Sequence, residues 1–194
     1  MNPAIALPEV SPSQRRRGRL QLILILAVVI GPMLLASAMY QWRFWVPETR
    51  SYHGELIGTG QTRADLGVVG ADEQRWQLLV TVPDTCDDAC KELVFLARQV
   101  HIGLNRDVGR AAHGLASAQP IVGDYDAQLR REYPQLTRYQ LQLDAYGKTA
   151  GAASGAQLWI VDPHGNLVLR YDATSKGKAI LNDLRHLLKI SQIG

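Results

Sequence analysis

Residues 76–90 read Trp-Gln-Leu-Leu-Val-Thr-Val-Pro-Asp-Thr-Cys-Asp-Asp-Ala-Cys, and they carry the clearest indication of the fold. Its first seven residues form the compact apolar run typical of a strand, which ends at Pro83. A capping hydroxyl at Thr85 and the two acids after Cys86 suit the N-terminus of a helix. The stretch therefore predicts a buried strand followed at once by a helix whose first turns carry Cys86 and Cys90.

The pattern downstream predicts an α/β domain with a mixed sheet. Apolar residues recur at helical spacing after Cys90, so the helix extends over about 87–104. The later predicted elements are a strand at 109–117, a short helix at 126–133, a strand at 139–143, a small-residue loop at 147–155, a hairpin of strands 157–161 and 166–171, and an amphipathic helix at 176–190. This is the order of a thioredoxin-like fold, in which a reactive cysteine pair follows a central strand.

The N-terminal segment predicts a membrane anchor. Residues 20–42 contain no charged side chain, and a helix of this length covers about 30 Å, the thickness of the hydrocarbon layer. Four arginines precede it: Arg15, Arg16, Arg17 and Arg19. By the positive-inside rule they place the N-terminus in the cytoplasm. A cleaved signal peptide is the alternative, because residues 36–38 read Ala-Ser-Ala, but the apolar run is longer than a signal peptide requires.

These patterns divide the chain into four parts. We expect a cytoplasmic basic N-terminus at 1–19, a transmembrane helix at 20–42, a tether with an irregular or hairpin segment at 43–74, and a thioredoxin-like domain at 75–194. The expected location is the inner (cytoplasmic) membrane, with a single pass and a periplasmic domain. Residues 1–45 hold five of the 21 basic residues, so the rest of the chain has 16 basic against 17 acidic ones. The folded part is therefore not basic, which argues against nucleic-acid binding.

Cys86 and Cys90 are the only cysteines in the chain. Their spacing places them on one helix face with Cα atoms about 6 Å apart, near the upper end of the disulfide range. A loop this short removes little entropy from the unfolded chain, so a redox or metal role is favoured over a structural disulfide. The helix N-terminus favours a thiolate, whereas the neighbouring aspartates disfavour it. The pair alone leaves thiol exchange and metal binding open.

Two motifs resemble the Sco/SenC family of membrane-anchored, thioredoxin-like proteins that help to build the copper site of cytochrome c oxidase. They are residues 85–90 (Thr-Cys-Asp-Asp-Ala-Cys) and 158–166 (Leu-Trp-Ile-Val-Asp-Pro-His-Gly-Asn), and the likeness covers about 76–190. Asp87 and Lys91 stand where the family usually has prolines. The family also binds copper through two cysteines and a histidine, and the histidine position corresponds to Ser154. The resemblance therefore implies a divergent member without the third copper ligand.

Other histidines are poor replacements for that ligand. His101 lies about 16 Å along the predicted helix from Cys90, since a helix rises 1.5 Å per residue. His164 falls in the hairpin turn at the wrong end of its strand, and His186 falls on the exposed side of the last helix. The sequence does not place His53 or His113.

The resemblance implies three functions. The first is thiol–disulfide exchange in oxidase assembly, which would make the chain a thiol–disulfide oxidoreductase with Cys86 attacking and Cys90 resolving. The second is delivery of Cu(I) held by the two thiolates, with a third ligand from the client. The third is a scaffold that only docks on an oxidase subunit. The implied partners are an oxidase subunit or other assembly factors, together with the lipid bilayer.

Overall fold

Seven strands form one mixed sheet in the C-terminal part of the chain. The computed structural model describes residues 12–42, 52–58, 60–149 and 155–191. The strands are β1 (Glu55–Leu56), β2 (Val68–Val69), β3 (Trp76–Val82), β4 (Ala111–Ser117), β5 (Thr137–Leu141), β6 (Gln157–Val161) and β7 (Leu167–Tyr171). Their order across the sheet is β1-β7-β6-β3-β4-β5-β2. Strands β3, β4 and β5 run parallel, and all other neighbours are antiparallel, which confirms the predicted mixed sheet.

Five α-helices accompany the strands in the described residues. They are α1 (Pro12–Trp42), α2 (Asp88–Gly103), α3 (Asp124–Glu132), α4 (Leu143–Thr149) and α5 (Gly177–Ile190), with a 3-10 helix at Asn105–Arg110. The predicted loop at 147–155 is partly wrong, because residues 147–149 form the end of helix α4. The side chain of Tyr146 is buried beneath this helix and hydrogen-bonds to Thr81. Tertiary packing thus outweighs the low helix propensity of Gly147.

The segment at 43–74 also differs from the prediction. It contributes two short strands, but they do not pair as a hairpin: β1 pairs with β7 and β2 with β5, at opposite edges of the sheet. Two-residue edge strands offer little backbone for pairing with another chain. This segment therefore supplies the short edge strand on each side of the sheet.

The chain divides into two compact units, residues 1–49 and 50–194. The first contains α1, whose candidate membrane span at residues 16–39 includes an 18-residue stretch with a mean hydropathy of 2.6. By length and composition this helix can cross a membrane once, and it begins before the predicted limit of residue 20. Pro32 lies within this helix, and membrane helices tolerate an internal proline.

The core of the second unit lies on both faces of the sheet. Every residue of β3 is buried, because successive side chains point to opposite faces and both faces are covered. Leu78 and Val80 pack with α2 and α5, whereas Leu79 contacts the cluster on the other face. The mostly apolar run that predicted this strand is thus the sequence of a central strand.

A strap, residues 52–58, is attached to the C-terminal helix by a buried carboxylate. Asp183 on α5 accepts hydrogen bonds from the backbone N–H groups of His53 (2.7 Å) and Gly54 (3.0 Å) and from the Tyr171 hydroxyl (2.8 Å). Its other oxygen lies 2.8 Å from Nδ1 of His53. Burial raises the pKa of Asp183, but the hydrogen bonds, first that from His53, outweigh burial and hold it below its usual range.

Candidate functional site

Cys86 and Cys90 form a disulfide directly after the central strand. Cys90 lies in the first turn of α2, while Cys86 precedes the residue that caps the helix, and their Cα atoms are 5.1 Å apart. The cap is Asp87, whose carboxylate accepts a hydrogen bond from the backbone N–H of Cys90 at 2.9 Å. The predicted capping hydroxyl of Thr85 is therefore not the cap. Because Cys86 lies outside the helix, the Cα atoms approach more closely than the 6 Å expected within one.

The two sulfur-bearing residues differ in exposure. Cys90 has no solvent-exposed surface and packs in the apolar cluster with Leu78, Val80 and Leu93. Cys86 is only partly buried and reaches the surface. An incoming thiolate must attack a disulfide sulfur directly, so only Cys86 is open to exchange with another protein.

A cleft of about 160 Å³ opens beside Cys86. It is lined by Thr85, Cys86, Gln119, Pro120, Ile121, Val122 and Tyr125. Burial, and then the neighbouring Tyr133, raise the pKa of Tyr125 to about 12, so its hydroxyl remains neutral. The described lining is apolar or uncharged, which suits a site where a protein segment covers the disulfide.

The charged residues around Cys86 lie outside that lining. Asp84, Asp87 and Asp88 are exposed, and Lys91 pairs with Asp88 at 3.0 Å. The ammonium group of Lys91 also lies 5.8 Å from the ring centroid of Tyr125. These groups form a mostly acidic rim above an apolar cleft.

Three of the histidines lie at the end of α2, on α5 and in the turn between β6 and β7. His101 is in the last turn of α2, with Nε2 3.0 Å from the carbonyl oxygen of Ala111, and His186 is exposed on α5. His164 is in the turn between β6 and β7, as predicted. Within the described ranges, no three His, Cys, Asp or Glu side chains form a group that could hold a metal ion. Ser154, the predicted position of the missing ligand, lies outside the described residues.

One of the two histidines that the sequence leaves unplaced, His113, is buried. His113 on β4 is 3% exposed, and its ring lies 4.8 Å from that of His101. Neither ring nitrogen of His113 has a hydrogen-bond partner among the residues that the structure describes. Burial, then His101 and Arg98, lower its pKa to about 4. The available signal was its place within the predicted strand 109–117, because a strand that is covered on both faces buries side chains in either direction.

The other unplaced histidine, His53, belongs to the strap. Its ring is held by the buried Asp183, and its own side chain is 60% exposed. Nothing in the sequence near either residue predicts this contact, since they are 130 positions apart.

Fold and site together define a protein with one N-terminal helix that can span a membrane and a thioredoxin-like domain that carries a disulfide-bonded cysteine pair. The chain belongs to the family described as "Transmembrane-like, thioredoxin-like, C-terminal domain", whose model matches residues 76–191. The companion model, "Transmembrane-like, N-terminal domain", matches residues 12–43. No curated protein matches the sequence.

Solved structures with a similar fold include Sco proteins and thiol–disulfide oxidoreductases. Yeast Sco1 with copper bound aligns with a TM-score of 0.50 and 12% identity, covering 62% of this chain and 82% of that one. Bradyrhizobium japonicum ScoI with copper bound gives 0.43 and 13%, covering 59% and 85%. A thiol:disulfide interchange protein from Bacteroides sp. gives 0.45 and 12%, covering 72% and 91%. The Sco/SenC resemblance is thus confirmed as a divergent one, at the level of the thioredoxin-like fold.

Proposed function

We propose that this protein acts in cytochrome c oxidase assembly by thiol–disulfide exchange through Cys86 and Cys90. The observation that carries the proposal is the disulfide between an accessible Cys86 and a buried Cys90 at the start of α2. A sulfur at the mouth of a cleft can meet a client, while a buried neighbour can resolve the product. The client class, the copper-site cysteines of an oxidase subunit, comes from the Sco/SenC resemblance.

The exchange begins with the reduced form of the pair. The Cys86 thiolate attacks one sulfur of a client disulfide, and the other client sulfur leaves as a thiolate. Cys90, as a thiolate, then attacks Cys86 and releases the remaining client sulfur, which restores the protein disulfide. Two electrons pass to the client, and a dithiol reductant outside the cytoplasm returns them to the pair. The 5.1 Å between the Cα atoms allows this closure without backbone rearrangement.

The backbone at the start of α2 supports the attacking role of Cys86. The N-terminal end of a helix carries partial positive charge, which stabilises a thiolate placed there. The carboxylate of Asp87 accepts a hydrogen bond from the N–H of Cys90 and so fixes the first turn of the helix. Cys86 lies just outside that turn, where its sulfur can leave the disulfide without disturbing the helix.

Copper delivery is the second candidate, with Cu(I) as cargo rather than resident cofactor. Two thiolates are soft ligands that suit Cu(I), and a client would supply the third ligand. The likeness to yeast Sco1, whose structure holds copper, favours this candidate. The lack of a third nearby ligand in the described part of the domain favours exchange instead. A scaffold that only docks on an oxidase subunit would need neither sulfur to react.

The proposed topology places the domain outside the cytoplasm. The four arginines before residue 20 motivate it, because positive flanks are retained inside. We expect a reporter that is active only in the cytoplasm to be inactive when fused after Gly194. A matched fusion to a chain that begins at residue 46 should be active. Activity of the full-length fusion would reverse the topology and remove the oxidising environment that the disulfide needs.

The reduction potential of the pair tests the proposed function. For the full-length chain in detergent micelles, equilibrated with glutathione or dithiothreitol buffers, we expect a value between about −270 and −180 mV. A structural disulfide would lie below about −300 mV. Alkylation of free thiols followed by mass measurement reads the reduced fraction. A value below −300 mV would contradict exchange, and tight Cu(I) binding by the same reduced chain would then favour delivery.

A further inference from the structure

A second, larger cleft adjoins the one beside Cys86. It has a volume of about 300 Å³ and shares Pro120 and Ile121 with the smaller cleft. Its other lining residues are Leu115, Ser117, Asp126, Arg130, Arg138, Tyr139 and Gln140. The two clefts meet at these shared residues, and together they are called the groove: it leads from the partly exposed Cys86 past β4 and β5 to α3.

The far end of the groove carries a net positive charge. Arg130 Nε lies 2.9 Å from one oxygen of Asp126, and Arg138 Nη1 pairs with the other oxygen. These contacts, first that with Arg138, hold the pKa of Asp126 below its usual range, so its carboxylate stays ionised. Two guanidinium groups therefore share one carboxylate. This excess positive charge contrasts with the acidic rim at Cys86 and with the net charge of −1 over residues 46–194.

We propose that the groove binds an extended client segment that carries an acidic side chain a few residues from its cysteine. The inference rests on the proposed function and adds the chemistry of the client. A carboxylate at the far end would accept charge-assisted hydrogen bonds from Arg130 and Arg138, whose planar donors match its geometry. The apolar middle, formed by Pro120 and Ile121, would cover the backbone between the two ends.

The sheet register sets the length of the segment. Val82 pairs with Ser117, and Leu115 pairs with Arg138, so the arginine lies two strands from β3, about 10 Å across the sheet. Cys86 lies four residues beyond the end of β3. The span from its sulfur to the guanidinium groups is then on the order of 15–20 Å, or about four to six residues of extended chain.

Binding of short peptides tests this proposal without any thiol chemistry. The probe is a fluorescent peptide with serine in place of cysteine and glutamate three to six residues away, on either side. The protein is the full-length chain with Cys86→Ser and Cys90→Ser, in detergent micelles. We expect the best glutamate peptide to bind about 5- to 10-fold tighter than its glutamine counterpart at low salt, with the preference falling as salt screens the charges.

Variants of the arginines locate the effect. Arg130→Gln and Arg138→Gln should each reduce the preference, and together they should remove it. Arg106→Gln makes the same charge change on the exposed 3-10 helix at the other end of β4 and should leave the preference unchanged. Changing both groove arginines to glutamate should reverse the preference toward a lysine peptide. That reversal would show that charge, rather than folding damage, determines selection.

Three results would overturn the proposal. Equal binding of glutamate and glutamine peptides is the first, and an undiminished preference in the double arginine variant is the second. Tighter binding of glutathione than of any glutamate peptide is the third, because it would assign the pocket to a small acidic thiol. If the glutamate preference is observed but the reduced wild-type protein does not exchange with disulfide peptides, the proposed binding groove is supported and the proposed function is contradicted.

Discussion

Cys90→Ser is expected to accumulate a mixed disulfide with client protein, whereas Cys86→Ser is expected to form almost none. In Cys90→Ser the exposed Cys86 can still attack a client disulfide, but no second thiol remains to release the product. In Cys86→Ser the remaining sulfur belongs to Cys90, which has no exposed surface. The measurement is non-reducing electrophoresis of the full-length chain from membranes after acid quenching, with the trapped band lost on reduction. The expected difference is more than tenfold in trapped protein.

The double variant Cys86→Ser and Cys90→Ser is the control for non-specific adducts. Asp88→Asn is a second control. Asp88 is exposed and lies between the cysteines, and its described ion pair is with Lys91 rather than with a sulfur. Equal trapping by the two single variants would contradict the assigned order of attack. No trapping by either would favour copper delivery or a scaffold over exchange.

The elements next to the cysteine pair could be predicted because their signals are local. Strand β3 matches its predicted limits, 76–82, and β6 matches 157–161, since each is a short, mostly apolar run bounded by turn residues. Helix α2 was predicted to within one residue at each end, because its buried face repeats at helical spacing. The disulfide geometry follows from where that helix begins. Fold class and cysteine placement are thus encoded within short stretches.

Contacts between distant parts of the chain could not be predicted in the same way. The strap binds Asp183 across 130 positions, and β1 and β2 join opposite sheet edges although they are close in sequence. Helix α4 forms because Tyr146 fills a buried position, which a composition of small residues does not indicate. The groove arginines lie on α3 and β5, and only the folded domain brings Leu115 and Ser117 of β4 into the same cleft with them. Each of these depends on tertiary packing rather than on local propensity.

Acid is expected to destabilise the C-terminal unit through His113 as the pH falls from about 6.5 to 4. The folded state keeps this ring neutral, with a pKa of about 4, because burial disfavours its charged form and His101 and Arg98 add positive charge nearby. An unfolded chain gives it the ordinary value of 6.5. The unfolded state therefore binds more protons within this window, so the free energy of unfolding decreases as the pH falls. The loss should reach about 3 kcal/mol near pH 4.

His113→Leu should flatten that dependence, because leucine keeps an apolar side chain in the buried position and takes up no proton. The measurement is denaturant unfolding of the full-length chain in micelles, followed by near-ultraviolet circular dichroism at several pH values. His164→Gln, in the exposed turn, should retain the wild-type slope between pH 6.5 and 4.5. Asp183 affects stability at lower pH than His113 does. Hydrogen bonds from the strap lower its pKa, so its contribution to the free energy of unfolding is present above the unfolded pKa of about 3.9 and is lost as the pH falls below that value. A slope above pH 4.5 that survives His113→Leu would therefore contradict the assignment to this histidine.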